Sequence, residues 1–150
     1  MTDISTATVV VNGWLASLHP ELQLNDQGFC TLANDQVALV AEVTGTTGQC
    51  HLSAVVMPPP EEPAALVPWM QEALRLNLSG RPLLGAWLAY DPELSTLFLC
   101  QNLPLDRTTA EEFQAVANTM VETVKAVRER LTPDAEAVED LVGESFLAAE

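Results

Sequence analysis

Residues 74–105 contain two apolar runs, 83–90 (Leu-Leu-Gly-Ala-Trp-Leu-Ala-Tyr) and 95–103 (Ser-Thr-Leu-Phe-Leu-Cys-Gln-Asn-Leu), on either side of Asp91-Pro92-Glu93-Leu94. Each run has the length of a strand and is dense in large apolar residues. Aspartate opens a turn with its own side chain, and proline fixes φ at the next position. A β-hairpin is the simplest structure for this stretch. It follows a helix-like segment that Gly80 stops.

The remaining elements follow from periodicity. From Asp3 to His19, the apolar residues Ile4, Ala7, Val11, Trp14, Leu15 and Leu18 keep helical spacing. The run Val9-Val10-Val11 and the interior Asn12-Gly13 work against that helix, since glycine costs about 1 kcal/mol relative to alanine. Residues 29–33 and 37–43 read as strands joined at Asn34-Asp35, and 49–57 as a third strand after the turn Gly45-Thr46-Thr47-Gly48. Short connections make these an antiparallel meander. Pro58-Pro59-Pro60 stops the meander and reads as a stiff connector. A helix then starts either at Glu61-Glu62-Pro63 or near Pro68 and runs to Leu78. The clearest helix spans residues 109–131, opened by a capping box at Thr108-x-x-Glu111. Its stripe is Phe113, Val116, Ala117, Met120, Val124, Val127 and Leu131, and Pro133 ends it. The order predicts an α+β fold: helix, three-strand meander, helix, two-strand hairpin, long helix. Residues 1–132 form one domain, and 133–150 an acidic tail in which Val138, Leu141, Val142 and Phe146 keep helical spacing.

Charge narrows the partners. Six Lys and Arg against 21 Asp and Glu give −15, and no base precedes Arg75. Phosphate recognition needs clustered bases, so neither nucleic acid nor an anionic membrane is expected as a partner. An acidic surface suits a basic or polar protein partner. An apolar content of 48% supports a core with residues to spare. No secretory signal or membrane-length apolar run is present, and Cys30, Cys50 and Cys100 read as small buried hydrophobes. The expected location is the cytoplasm.

Chemistry-bearing patterns are missing. His51 follows Cys50, but consecutive strand residues point to opposite faces, so the two do not chelate together. Ser17 near His19 and Ser53 near His51 have no nucleophile-elbow context. Neither metal, cofactor nor catalytic residues are expected; a binding protein is. The apolar residues beyond core needs are Trp14, Leu15 and Leu18 of the first helix and Phe29 and Leu32 of the first strand, and these are the candidate client-binding residues. A second helix apolar on several sides, with Trp87 in the strand that follows, points to a homodimer. Its candidate interface residues are Trp69, Leu76, Leu84 and Trp87.

The ordered string Leu74-x-x-Asn77-Leu78-x-Gly80, a strand running into Asp91-Pro92, a strand ending Leu103-Pro104-Leu105, and a helix opening Thr109-x-Glu111-Glu112-Phe113 resembles the class I type III secretion chaperones, the Tir-chaperone-like family. The likeness is strongest over residues 73–131 and by element order alone over 2–57. It implies a dimeric bacterial cytoplasmic chaperone whose second helix and following strand form the subunit interface. Such a chaperone would hold an extended effector segment by β-augmentation, keep it export-competent and present it to the export ATPase. An acidic nucleic-acid mimic or another protein-binding inhibitor is the alternative that the charge allows. Such a mimic has no need of surplus apolar surface.

Overall fold

A computed structural model describes residues 4–34, 36–45, 47–79 and 83–132. The expectations for Asp3, Asp35, Thr46, Gly80 and the tail 133–150 fall outside these residues.

Helix α1 (Ile4–Leu18) is followed by strands β1 (Phe29–Asn34), β2 (Val37–Val43) and β3 (Gln49–Met57). Helix α2 (Pro63–Ser79), strands β4 (Trp87–Asp91) and β5 (Thr96–Pro104), and helix α3 (Ala110–Leu131) complete the chain. The strands make one antiparallel sheet in the order β1-β2-β3-β5-β4. This is the α+β arrangement that the periodicity predicts.

Strand alternation sorts the sheet into two faces. Leu39, Ala41, Val43, Cys50, Leu52, Ala54 and Leu99 are buried on one face, beneath α1 and α3. Helix α1 applies Ala7, Val11, Trp14 and Leu15 to that face, and Trp14 stacks on Phe113 with ring centroids 5.4 Å apart. The awkward Asn12 has a use: its Oδ1 accepts the Leu24 amide at 2.7 Å and anchors the loop after the helix. Gly28 is required where the chain enters β1, since a Cβ there would stand 2.8 Å from the Val43 carbonyl oxygen, at φ 87°.

Two local expectations are corrected, for the cap of α3 and the start of β4, and the choice left open for the start of α2 is decided. The cap of α3 is Thr109, whose Oγ1 accepts the Glu112 amide at 3.1 Å, because the Thr108 amide is already turned back onto the Pro104 carbonyl. Strand β4 begins at Trp87 instead of residue 83. Leu84 (φ 54°) and Gly85 (φ 94°) form a left-handed turn closed by the Ala86 amide on the Leu83 carbonyl. Helix α2 starts at Pro63 and runs through Pro68, whose missing amide hydrogen would have faced the carbonyl of exposed Ala64. The hairpin turn is as expected, with Asp91 Oδ1 accepting the Glu93 amide at 2.9 Å.

Late in β3 the register with β5 shifts between Val55 and Met57, a bulge. It sends Met57 to the helix side, where Trp69 Nε1–H points at its sulfur at 3.5 Å. Arg128 of α3 answers the bulge, donating to the carbonyls of Val56 (2.6 Å), Val55 (3.0 Å) and Gln36 (3.2 Å).

Phe113 is fully buried against Trp14. Phe113→Ala is therefore expected to remove about 3–5 kcal/mol of stability, read as a lowered midpoint in thermal or denaturant unfolding. An unmoved midpoint would refute the α1–α3 packing.

Candidate functional site

Helix α2 carries two apolar stripes. Trp69, Ala73 and Leu76 face the core, whereas Val67, Met70, Leu74 and Leu78 stand exposed at steps of three and four. Between α2 and β4 lies a groove of about 220 Å³ lined by Leu66, Met70, Leu74, Leu88, Tyr90 and Leu97. Trp69 meets Tyr90 edge-on at 6.4 Å across its floor. The edge of β4 is held by Asn77, which donates Nδ2–H to the Leu88 carbonyl (3.0 Å) and accepts the Leu88 amide on Oδ1 (2.7 Å).

On the sheet face turned from the core, no helix packs among the described residues. A row crosses all five strands there: Thr31, Val40, Ser53, Cys100 and Trp87. Val55, Phe98 and Ala89 lie beside it, and the charged residues on this face are Glu42 and Asp91. Most of the row is half-exposed, while Cys100 is buried. His51 Nδ1–H donates to Asn102 Oδ1 at 2.6 Å, and its ring stands 6.1 Å from Trp87. His51 and the fully buried Cys50 take opposite faces, as alternation requires.

At the other end of the sheet, β1 pairs with β2 alone. The Val43 amide donates to the Gly28 carbonyl, so alternation turns the main-chain groups of Phe29, Thr31 and Ala33 away from β2. Those of Phe29 are taken by Asn25, which donates its amide to the Phe29 carbonyl (2.7 Å) and accepts the Phe29 amide on Oδ1 (2.9 Å). Thr31 and Ala33 remain as the part of this edge without a main-chain partner, the Thr31 carbonyl meeting the Cys30 thiol at 3.9 Å.

The residues singled out in the sequence divide sharply. Trp14, Leu15 and Leu32 join the core, with relative exposures of 4%, 0% and 8%, so the expectation that Leu15 and Leu32 are partly exposed in the free chain is corrected. They sit on the inner sides of α1 and β1, where the sheet and α3 cover them. Leu18 is exposed and Phe29 is half-buried. Trp69 and Leu76 are likewise core, whereas Leu84 and Trp87 are exposed. Trp87 lies on the bare sheet face and the exposed stripe of α2 on the other side of β4, so the expected interface set is not one patch. Val67, Met70, Leu74 and Leu78 were missed, although their spacing was readable as a second stripe. All three cysteines are buried, as expected.

Residues 15–128, from the buried end of α1 to the last turns of α3, match the model of the Tir chaperone protein (CesT) family. The chain belongs to that family. It is a family of chaperones, and the match includes the Asn77 and Asp91-Pro92 words that carried the resemblance. No curated protein sequence matches the chain. Among solved structures, the ExsC–ExsE complex is similar at 20% identity and TM-score 0.71, covering 85% of this chain and 97% of that one. The HopA1–SchA chaperone–effector complex follows at 19% and 0.69, covering 86% and 99%. The Yersinia pestis type III secretion chaperone SycH, solved with a YscM2 fragment, gives 14% and 0.59, covering 80% and 98%. At these identities the likeness is one of fold. Among the described residues no group of metal-ligating side chains comes together, and no helix is long and apolar enough to cross a membrane.

Two outcomes follow from the burial pattern. Leu15→Asp strands an unpaired charge in the core and is expected to unfold the chain, while Leu18→Asp leaves the melt within about 0.5 kcal/mol; circular dichroism melts of both variants check this. Burial also pushes the Cys50 thiol up to about 12 and the Cys100 thiol up to about 11, from 9.0. The unfolded chain then releases these protons first. Their contribution to stability is whole below pH 9 and is lost as pH rises toward 11–12. Denaturant midpoints across that range should fall more steeply for the wild type than for Cys50→Ala.

Proposed function

We propose that the chain is a chaperone of a type III secretion effector, working as a homodimer that holds an extended effector segment, keeps it export-competent and hands it to the export ATPase. The family match over residues 15–128 carries this reading. The likeness to HopA1–SchA, a chaperone–effector complex, supports it from the side of fold.

The geometry supplies two matching surfaces. An extended segment pairing with Thr31 and Ala33 would continue the sheet past β1, and its alternate side chains would extend the bare face beside Phe29 and Thr31. Leu18 and Phe29 stay as contact residues of this client site, with Trp14, Leu15 and Leu32 holding them from the core. The second copy takes the exposed stripe of α2, with Trp69 and Leu76 as its buried support, while Leu84 and Trp87 are exposed outside this patch. A stable dimer of this kind buries about 1,200–2,000 Å² in total.

Light scattering is expected to give twice 16.2 kDa for the wild type. Since Met70 and Leu74 are exposed in the single chain, Met70→Asp with Leu74→Asp should return 16.2 kDa with the helical signal retained. A wild-type monomer at micromolar concentration would sink the pairing. For the client, a co-expressed effector should remain bound through purification with one protease-resistant segment. Leu18→Asp should weaken its retention roughly tenfold, since about 1.4 kcal/mol suffices. A client protected as a whole folded domain would contradict the extended mode.

A further inference from the structure

The primary amide of asparagine sets an N–H donor beside a carbonyl acceptor, the same pair that a residue of a neighbouring antiparallel strand presents. Asn77 uses both on one residue of the edge strand: Nδ2–H on the Leu88 carbonyl and Oδ1 on the Leu88 amide. Because Leu88 turns these groups outward, alternation turns those of Trp87, Ala89 and Asp91 toward β5, which leaves Leu88 and Tyr90 as the outward residues of a five-residue strand. Asn77 therefore occupies one of the two positions on this edge at which a sixth strand would bond. It is fixed there by its place on α2, between core residues Ala73 and Leu76 and the groove wall. At the opposite edge Asn25 meets both main-chain groups of Phe29, with its own main-chain amide on the carbonyl and its Oδ1 on the amide, but leaves Thr31 and Ala33 without a main-chain partner. The sheet thus has two edges closed to different extents.

We propose that Asn77 is a specificity-determining residue that closes the β4 edge to main-chain pairing, so that an extended client segment is directed to β1 across Thr31 and Ala33. This rests on the reading that the client adds to the sheet as a strand. An unplugged β4 would compete for that segment and would also offer its own edge to other chains, a hazard that edge strands carry generally. The side-chain plug leaves the apolar stripe of α2 available for contacts that need no main-chain pairing.

The test is residue-resolved amide exchange on the full chain, wild type and Asn77→Ala, alone and with a synthetic peptide of about ten residues alternating valine and threonine between lysines. Without peptide, exchange of the Leu88 amide should quicken roughly tenfold in the variant. With peptide, the wild type should gain protection at Thr31 and Ala33 but not at Tyr90, and the variant should gain it at Leu88 and Tyr90 as well. Asn77→Leu, close in size but with neither donor nor acceptor, opens the edge with α2 packing kept and should behave as the alanine variant does. Protection at Thr31 and Ala33 in every protein, with none gained on β4, would overturn the role of Asn77 while leaving the client reading intact. Protection gained on β4 alone would support Asn77 and refute β1 as the client edge. Protection nowhere, or on Tyr90 in the wild type, overturns the proposal.

Discussion

The hold of Arg128 on three main-chain carbonyls sets the relation between the long helix and the sheet. A bulge in a central strand frees carbonyl groups beside a buried residue, and a buried carbonyl left without a donor costs about 1–3 kcal/mol. Arg128 reaches the carbonyls of Val55 and Val56 at the bulge and that of Gln36 in the β1–β2 turn. In a chain with six lysines and arginines and 21 acids, this cation is given to the backbone instead of to a carboxylate. The bulge in turn carries Met57 to the helix side, where Trp69 and Thr132 meet its sulfur. One guanidinium thereby links α3, the first hairpin and the end of β3 that leads into α2.

With that frame fixed, the fold becomes strongly two-sided. Helices α1 and α3 cover the middle of one sheet face, and α2 sits under β4 at one end. The other face keeps a row of small and apolar side chains with little charge. Both sheet edges are then shaped by single asparagines: Asn25, through its main-chain amide and Oδ1, at the start of β1, and Asn77, through its side-chain amide, at Leu88 of β4. Two residues of the same type, in a loop and in a helix, act as partial strands and determine how much main chain is left to offer.

Element order and most boundaries were legible because they rest on local rules: the 3.6 period of α3, alternation in β2 and β3, and the Asp91-Pro92 turn. Residue roles were less so. Trp14 and Leu15 looked like surplus because a helix stripe shows how many apolar residues share a side, not how much partner surface awaits them; α3, nearly a hundred residues away, supplies the Phe113 ring that covers Trp14. The late start of β4 followed from a left-handed leucine, a conformation that residue type argues against. The capping threonine was off by one because Thr108 and Thr109 are adjacent and only the hydrogen bond to the Pro104 carbonyl distinguishes them. Asn77 was part of the family-like string, but its partner Leu88 lies on a strand whose register the sequence does not state.

Charge favours α2 as the surface for the proposed self-contact. Two copies of a chain at −15 repel each other at any approach shorter than the roughly 8 Å over which salt screens them. Helix α2 carries one acid, Glu72, and one base, Arg75, and so adds no net charge to its surface. Glu72 is further neutralised by Arg130 of α3 at 2.8 Å. Its exposed stripe of Val67, Met70, Leu74 and Leu78 is the largest apolar series presented by any helix of the described chain. Apolar burial there meets the least opposing field, since the net negative charge is carried by other segments. The main-chain groups that a self-contact across β4 would otherwise have to desolvate at Leu88 are already satisfied within the chain by Asn77. Low charge, exposed apolar area and a strand edge plugged at Leu88 coincide at one end of the sheet, and the more open strand edge lies at the other.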